Sequence, residues 1–146
     1  MGILLDEQIS QNISTSGGIS IPLTSTPALF GTLGLNTADA GANLRVQFSA
    51  TVSLASIVSV LTPVTITIFR GVGPDAVLVY SATQSAPAVG LLEVLANSVM
   101  TITGADYQPP NPGFLVYQAF VSIPGGVAIA PTRVGPESFN AAAYSD

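Results

Sequence analysis

The sequence predicts an all-β fold, an antiparallel β-sandwich of the jelly-roll type with an extended N-terminal arm. Short segments of alternating apolar and polar residues recur along the 146-residue chain, separated by Gly, Pro and Asn turns at intervals near ten residues. No convincing helical periodicity is present. The chain lacks Cys and Trp, so the Cys-Trp-Cys pattern of immunoglobulin domains is missing and a jelly roll is favoured.

The clearest strand signal is the segment 44–54, in which apolar and polar residues alternate over eleven positions. This period of two predicts a strand with one buried face and one solvent-exposed face. Segments 64–70 and 76–81 follow as a predicted hairpin around the turn Gly71–Asp75. So short a connection implies antiparallel pairing.

Further strands are predicted from β-branched and aromatic runs. They cover 19–23, 28–36, 99–103, 113–123 and 125–130, with a last strand at 139–144 unless the tail frays. The stretch 91–100 is open to two interpretations, a helix or the ends of two strands. Segment 105–112 is expected to be irregular because Pro109, Pro110 and Pro112 remove backbone donors.

Residues 1–18 are predicted to form an arm, and residues 19–146 the sandwich domain. The arm carries apolar side chains that would dock on a neighbouring subunit: Ile3, Leu4, Leu5, Ile9 and Ile13. Gly17 and Gly18 would act as its hinge. The alternative interpretation is a frayed terminus, but exposed apolar residues favour docking.

The charge content bounds the possible partners. Charged residues make up 8% of the chain, against about 25% in an average domain. The net charge is −5, with only Arg45, Arg70 and Arg133 positive, which argues against nucleic acid and anionic membranes. No stretch approaches 18 apolar residues, so no membrane span is expected. So few charges predict a surface covered by Ser and Thr or buried against other copies.

The side chains needed for most catalysis are absent. Without His, Cys or Lys, nucleophilic triads, lysine chemistry and ordinary zinc sites are excluded. We therefore expect no enzyme activity, no cofactor and no metal. The acidic residues are scattered and are interpreted as surface charges: Asp6, Glu7, Asp39, Asp75, Glu93, Asp106, Glu137 and Asp146. Arg45 and Arg70 are interpreted as edge gatekeepers or as intersubunit partners of an acid such as Glu93 or Asp75.

The block 65–84, preceded by 44–54, resembles small β-proteins of the surface or fibres of bacterial spores. The resemblance lies in Ile66-Thr67-Ile68-Phe69-Arg70-Gly71 and in the strand 77–84 that ends in Thr-Gln. It implies a jelly-roll subunit that assembles outside the cell, often through an N-terminal arm. Similar heads, related to the C1q and tumour necrosis factor folds, cap collagen-like spore filaments. The turn 71–75 is longer than in that family, and its cross-linking cysteines are absent.

Two functions follow as hypotheses. The first is a structural subunit of an extracellular cell-surface or spore-surface fibre, in which the arm of one copy adds as a strand to the next. The alternative is a closed trimeric head that binds a glycan or another surface protein through Tyr107 and the Pro-rich loop 105–113.

Overall fold

The computed structural model describes residues 2–57, 62–85, 95–127 and 130–146. In these ranges the chain forms nine strands: β1 (Ile3–Ile13), β2 (Ile21–Pro22), β3 (Ala28–Asn36), β4 (Arg45–Ile57), β5 (Pro63–Arg70), β6 (Val77–Ser85), β7 (Leu95–Tyr107), β8 (Phe114–Ser122) and β9 (Thr132–Ser145). A 3₁₀ turn, Gly73–Asp75, lies in the predicted β5–β6 hairpin.

The strands form two packed antiparallel sheets. The first sheet has the order β1-β9-β4-β7, with the short β2 also paired to β9, and the second has the order β3-β8-β5-β6. Among the described strands, the chain changes sheet after each strand except at the β1–β2 connection, which stays in the first sheet, and at the β5–β6 hairpin, which stays in the second. Eight main strands in two four-stranded sheets with these crossings form a jelly roll, which confirms the predicted fold class.

The core lies between the sheets and follows the period of two. From the first sheet it receives Val46, Phe48 and Val52 of β4, all at most 3% exposed. From the second sheet it receives Ile66 and Ile68 of β5. Each such apolar side chain contributes about 1.5–3 kcal/mol when fully buried. The alternating pattern of β4 therefore decides which face of the first sheet looks inward.

Several boundaries differ from the sequence prediction. β7 continues to Tyr107, so residues 105–107 are strand although the 105–112 segment was expected to be irregular. Their pairing with Arg45–Gln47 of β4 extends the strand to Tyr107, two residues before the first proline, Pro109. β9 runs from Thr132 to Ser145 between β1 and β4, so the tail is a central strand and does not fray.

The short return predicted at 125–130 is a turn at Gly125–Gly126 in its described part. Gly126 has a φ of +82°, a conformation that fits a turn better than a strand. Residues 128 and 129 lie outside the described residues. So does the 91–94 half of the ambiguous stretch, including Glu93, whereas Leu95–Met100 belongs to β7.

Candidate functional site: the N-terminal edge strand

Strand β1 lies at the edge of the first sheet, against β9 of its own chain. The antiparallel register runs from Ile3 opposite Ser145 to Ile13 opposite Glu137. Beyond a looped segment, residues 14–20, β2 continues along the same edge with Ile21 opposite Arg133. The residues predicted as a separate arm are therefore the first strand of the sandwich in the isolated chain. Their docking on a neighbouring subunit stays a prediction.

The side chains of β1 contribute little to the core. Ile3, Leu4 and Ile9 are 59%, 51% and 72% exposed, and Leu5 and Ile13 are half-buried. Among the described residues, the first fully buried apolar side chain along the chain is Leu23. The backbone bonds to β9 and a few polar side-chain bonds therefore dominate the attachment of β1.

Two of these polar bonds join β1 to β3, the nearest strand of the other sheet. The Asn36 N–H donates to Asp6 Oδ2 (2.8 Å), and the Thr32 N–H donates to Ser10 Oγ (3.2 Å). The bond from Asn36 lowers the pKa of Asp6 below its usual value. Since β3 is itself a sheet edge, these side chains satisfy backbone donors that would otherwise face open space.

A third polar contact reaches a buried ion pair. Arg133 and Glu137 on β9 form two hydrogen bonds, Nε to Oε2 (2.7 Å) and Nη2 to Oε1 (2.6 Å). Their side chains are 5% and 0% exposed. The Asn12 side-chain amide of β1 donates to Glu137 Oε1 (2.8 Å). A buried carboxylate needs its lone pairs satisfied, so Asn12 is a polar contact that ties β1 to one register.

The segment predicted as a hinge is a tight turn. Gly18 N–H donates to Thr15 O (3.3 Å), and Gly17 has a φ of +77°, which only glycine adopts without strain. Gly18 also lies against Ile13, whose side chain would meet a Cβ at 2.6 Å. The structure thus places both predicted hinge glycines in the loop that joins β1 to β2.

The other arginines make ion pairs within the chain. Arg70 Nη1 and Tyr117 Oη (2.8 Å) both donate to Asp106 Oδ2, which connects the two sheets. Burial raises the pKa of Tyr117 far above its usual value, and the bond to Asp106 adds to the shift. Arg45 pairs with Asp146 (3.1 Å). Within the described chain Arg70 is therefore paired with Asp106, and an intersubunit partner such as Asp75 or Glu93 stays a prediction.

The Pro-rich loop 105–113 is fixed by hydrogen bonds at the end of the sandwich that carries the Arg70–Asp106 pair. Thr37 Oγ1 and Asn111 Oδ1 are hydrogen-bonded (2.6 Å), and the Asn111 amide donates to Thr37 O (3.0 Å). Tyr107 is 66% exposed. A groove of about 370 Å³ lies beside the loop, lined in part by Pro110, Pro112 and Phe114. The loop therefore exposes an apolar surface in this groove and an aromatic side chain at Tyr107.

No cluster of three or more metal-ligating side chains occurs among the described residues. No helix in the described part of the chain is long and apolar enough to cross a membrane.

Comparisons with known proteins bear on the fold. No family model and no curated protein matches the sequence. Among solved structures, dimeric latent PorU from Porphyromonas gingivalis aligns with 97% of this chain at a TM-score of 0.51 and 13% identity. The chain spans only 13% of the length of that protein. Eiger TNF from S. frugiperda aligns with 96% of this chain and 93% of its own at a TM-score of 0.48 and 9% identity. The PorU likeness, at such low identity, concerns the fold alone.

Proposed function

We propose that the protein is a structural, non-enzymatic subunit that self-assembles by strand exchange, in which β1 of one copy replaces β1 on β9 of the next. The observation that carries this proposal is that β1 is an eleven-residue edge strand with no buried side chain. Its backbone bonds to β9 are available equally to any copy of the same strand. Exchange therefore preserves nearly all of its contacts.

The polar contacts of β1 would transfer with it. On a second copy, Asn12 would reach the acceptor's Glu137, and Asp6 and Ser10 would reach its Asn36 and Thr32. These bonds would set the same register in the exchanged strand, because each fails if the strand slips by one residue.

The looped segment 14–20 would connect an exchanged β1 to its own sandwich and would determine how far β1 can extend toward β9 of the next copy. Seven residues span at most about 23 Å when extended, and Gly17 and Gly18 give this segment the backbone freedom to change from a turn to an extended conformation. A strand passed from each copy to the next does not close unless the rotation between copies closes a ring. The expected product is therefore a filament.

Disulfide trapping tests the exchange directly, because the chain has no Cys of its own. Gln11 and Ser138 face each other across β1 and β9. The single variants Gln11→Cys and Ser138→Cys, of which one carries a mass tag, are mixed in urea, refolded together and oxidised. We expect covalent heterodimers on a non-reducing gel.

The matched control is a mixture of Ser49→Cys and Asn140→Cys, which face each other across β4 and β9. Both of these strands carry core residues, so they should stay in one chain and give no heterodimer. The double variant Gln11→Cys/Ser138→Cys verifies that the first pair can form a disulfide. If the double variant forms this disulfide within one chain but the mixed single variants give no heterodimer, the strand-exchange proposal is wrong.

Electron microscopy separates the filament from the alternative, a closed trimeric head. Full-length protein should form filaments, and a chain that starts at Ile19 should form discrete particles. Uniform small particles from both would favour the closed head. The proposed location is the cell or spore surface, a proposal supported by the spore-protein resemblance of residues 65–84 and by the low charge of the chain.

A further inference from the structure

A shallow trough crosses the outer face of the first sheet. It has a volume of about 510 Å³ and is lined by residues of β1, β9, β4 and β7. Its floor is low because the outward side chains there are small. In register, Gln47 lies between Ala142 and Ala105, and Ser49 lies between Asn140 and Thr103.

The walls of the trough are polar and nearly neutral. Gln47, Asn140 and Thr103 are exposed. Glu7, opposite Ala142, is the single ionisable side chain among the described residues of the lining. In the part of the chain that the structure describes, no hydrogen bond engages the side chains of Gln47, Ser49, Thr103 or Asn140. Their amides and hydroxyls offer both donors and acceptors.

Aromatic side chains stand next to the trough. One row along the sheet, Arg45 lies between Tyr144 and Tyr107, and Tyr107 is 66% exposed. The quadrupole of an aromatic ring gives its face a partial negative charge, so the face attracts the slightly positive C–H groups on one face of a sugar ring.

We propose that this trough binds a neutral oligosaccharide, with Gln47 and Asn140 bonding to hydroxyl groups and Tyr107 stacking on a neighbouring sugar unit. The volume is in the usual range of small-ligand sites, about 300–1,000 Å³. The ten residues that line the trough are fewer than the roughly 20–30 residues per side of a stable protein interface. The net charge of −5 and Glu7 disfavour anions. The polar lining disfavours lipids.

The site is distinct from the strand exchange, although Glu7 belongs to β1. An exchanged β1 would place the Glu7 of one copy beside the Gln47 of another, so binding is expected in both the monomer and the assembly. A failure to bind sugar therefore does not contradict the strand-exchange proposal. A failure to exchange strands likewise does not contradict sugar binding in the trough.

Saturation-transfer NMR with three neutral hexasaccharides, of glucose, mannose and N-acetylglucosamine, and with polygalacturonate as an anionic control, tests the proposal. We expect at least one neutral sugar to bind and the anion not to bind. The variant Gln47→Ala/Asn140→Ala should weaken binding by about tenfold or more, the loss of two hydrogen bonds. Ser138→Ala, on the same face but outside the trough, should leave affinity unchanged.

Other outcomes overturn the proposal. If no neutral sugar binds at millimolar concentration, or if binding is equal in the double variant, the trough is not a saccharide site. Ala142→Leu fills the floor and should abolish sugar binding without changing the mass in solution. If it instead changes the oligomeric state, a second copy of this chain occupies the trough.

Discussion

At the scale of single residues, the buried charges carry the strongest energetic consequences. The sequence predicts Glu137 to be a surface acid, yet Glu137 is buried and bonded to the also buried Arg133. Removing one partner of such a pair leaves an unpaired charge in a medium of low polarity, which is far more costly than losing an exposed pair.

We expect Glu137→Ala to lower the free energy of unfolding by about 3–5 kcal/mol, measured by urea denaturation. The double variant Arg133→Met/Glu137→Leu should recover most of that loss, because no unpaired charge remains. The matched control, Arg45→Ala, breaks the Asp146 pair, whose side chains are 30% and 41% exposed, and should cost less than about 1 kcal/mol. Equal losses in Glu137→Ala and Arg45→Ala would contradict this prediction.

Tyr117 predicts an alkaline loss of stability. Its pKa in the folded protein is raised, first by burial, so the folded state keeps the phenol proton above pH 10.0, the usual pKa, where the unfolded chain releases it. The free energy of unfolding should therefore be constant below that pH and fall as pH rises above it. Tyr117→Phe should remove this decline, and Tyr107→Phe, at an exposed site, should leave it. Urea midpoints determined between about pH 8 and pH 11 provide the measurement.

At the scale of elements, β1 and β7 are both edges of the first sheet but differ in what holds them. β7 buries Met100 and Ile102, whereas β1 is attached through β9 and through Asp6, Ser10 and Asn12. An edge strand with few buried side chains opens at low free energy. This difference makes β1 the exchangeable element.

Asp6 predicts acid-dependent release of β1. Its pKa is lowered in the folded protein, chiefly by the Asn36 N–H, so its contribution is present above the usual value of 3.8 and is lost as pH falls through the folded pKa. Hydrogen exchange of β1 amides should therefore accelerate in acid relative to β4. Asp6→Asn should make β1 exchange faster at neutral pH and remove most of this acid dependence. An unchanged ratio of β1 to β4 exchange in both proteins would contradict the assignment.

At the scale of the whole molecule, the pairing of Ile3 with Ser145 joins the two ends of the chain. Because β1 buries so little, its docking is expected to follow formation of the remaining sandwich. Interactions absent from the folding transition state affect mainly the unfolding rate. Deleting residues 1–18 should therefore accelerate unfolding in stopped-flow experiments and leave the folding rate nearly unchanged. A folding rate reduced in proportion to the loss of stability would place β1 in the nucleus instead.

The sequence alone determined the fold class, because the period of two in β4, the β5–β6 hairpin and the turn residues are local signals of strand and turn. It also located the 28–36 strand to the residue. Only the tertiary structure decided that residues 3–13 pair with β9, since strand partners far apart in sequence leave no local signal. The same holds for the Asn12–Glu137 contact, 125 positions apart, for the Arg70–Asp106 pair and for the trough, whose lining comes from four strands. A side chain's burial and partners depend on what packs over it, and that is a property of the whole sandwich.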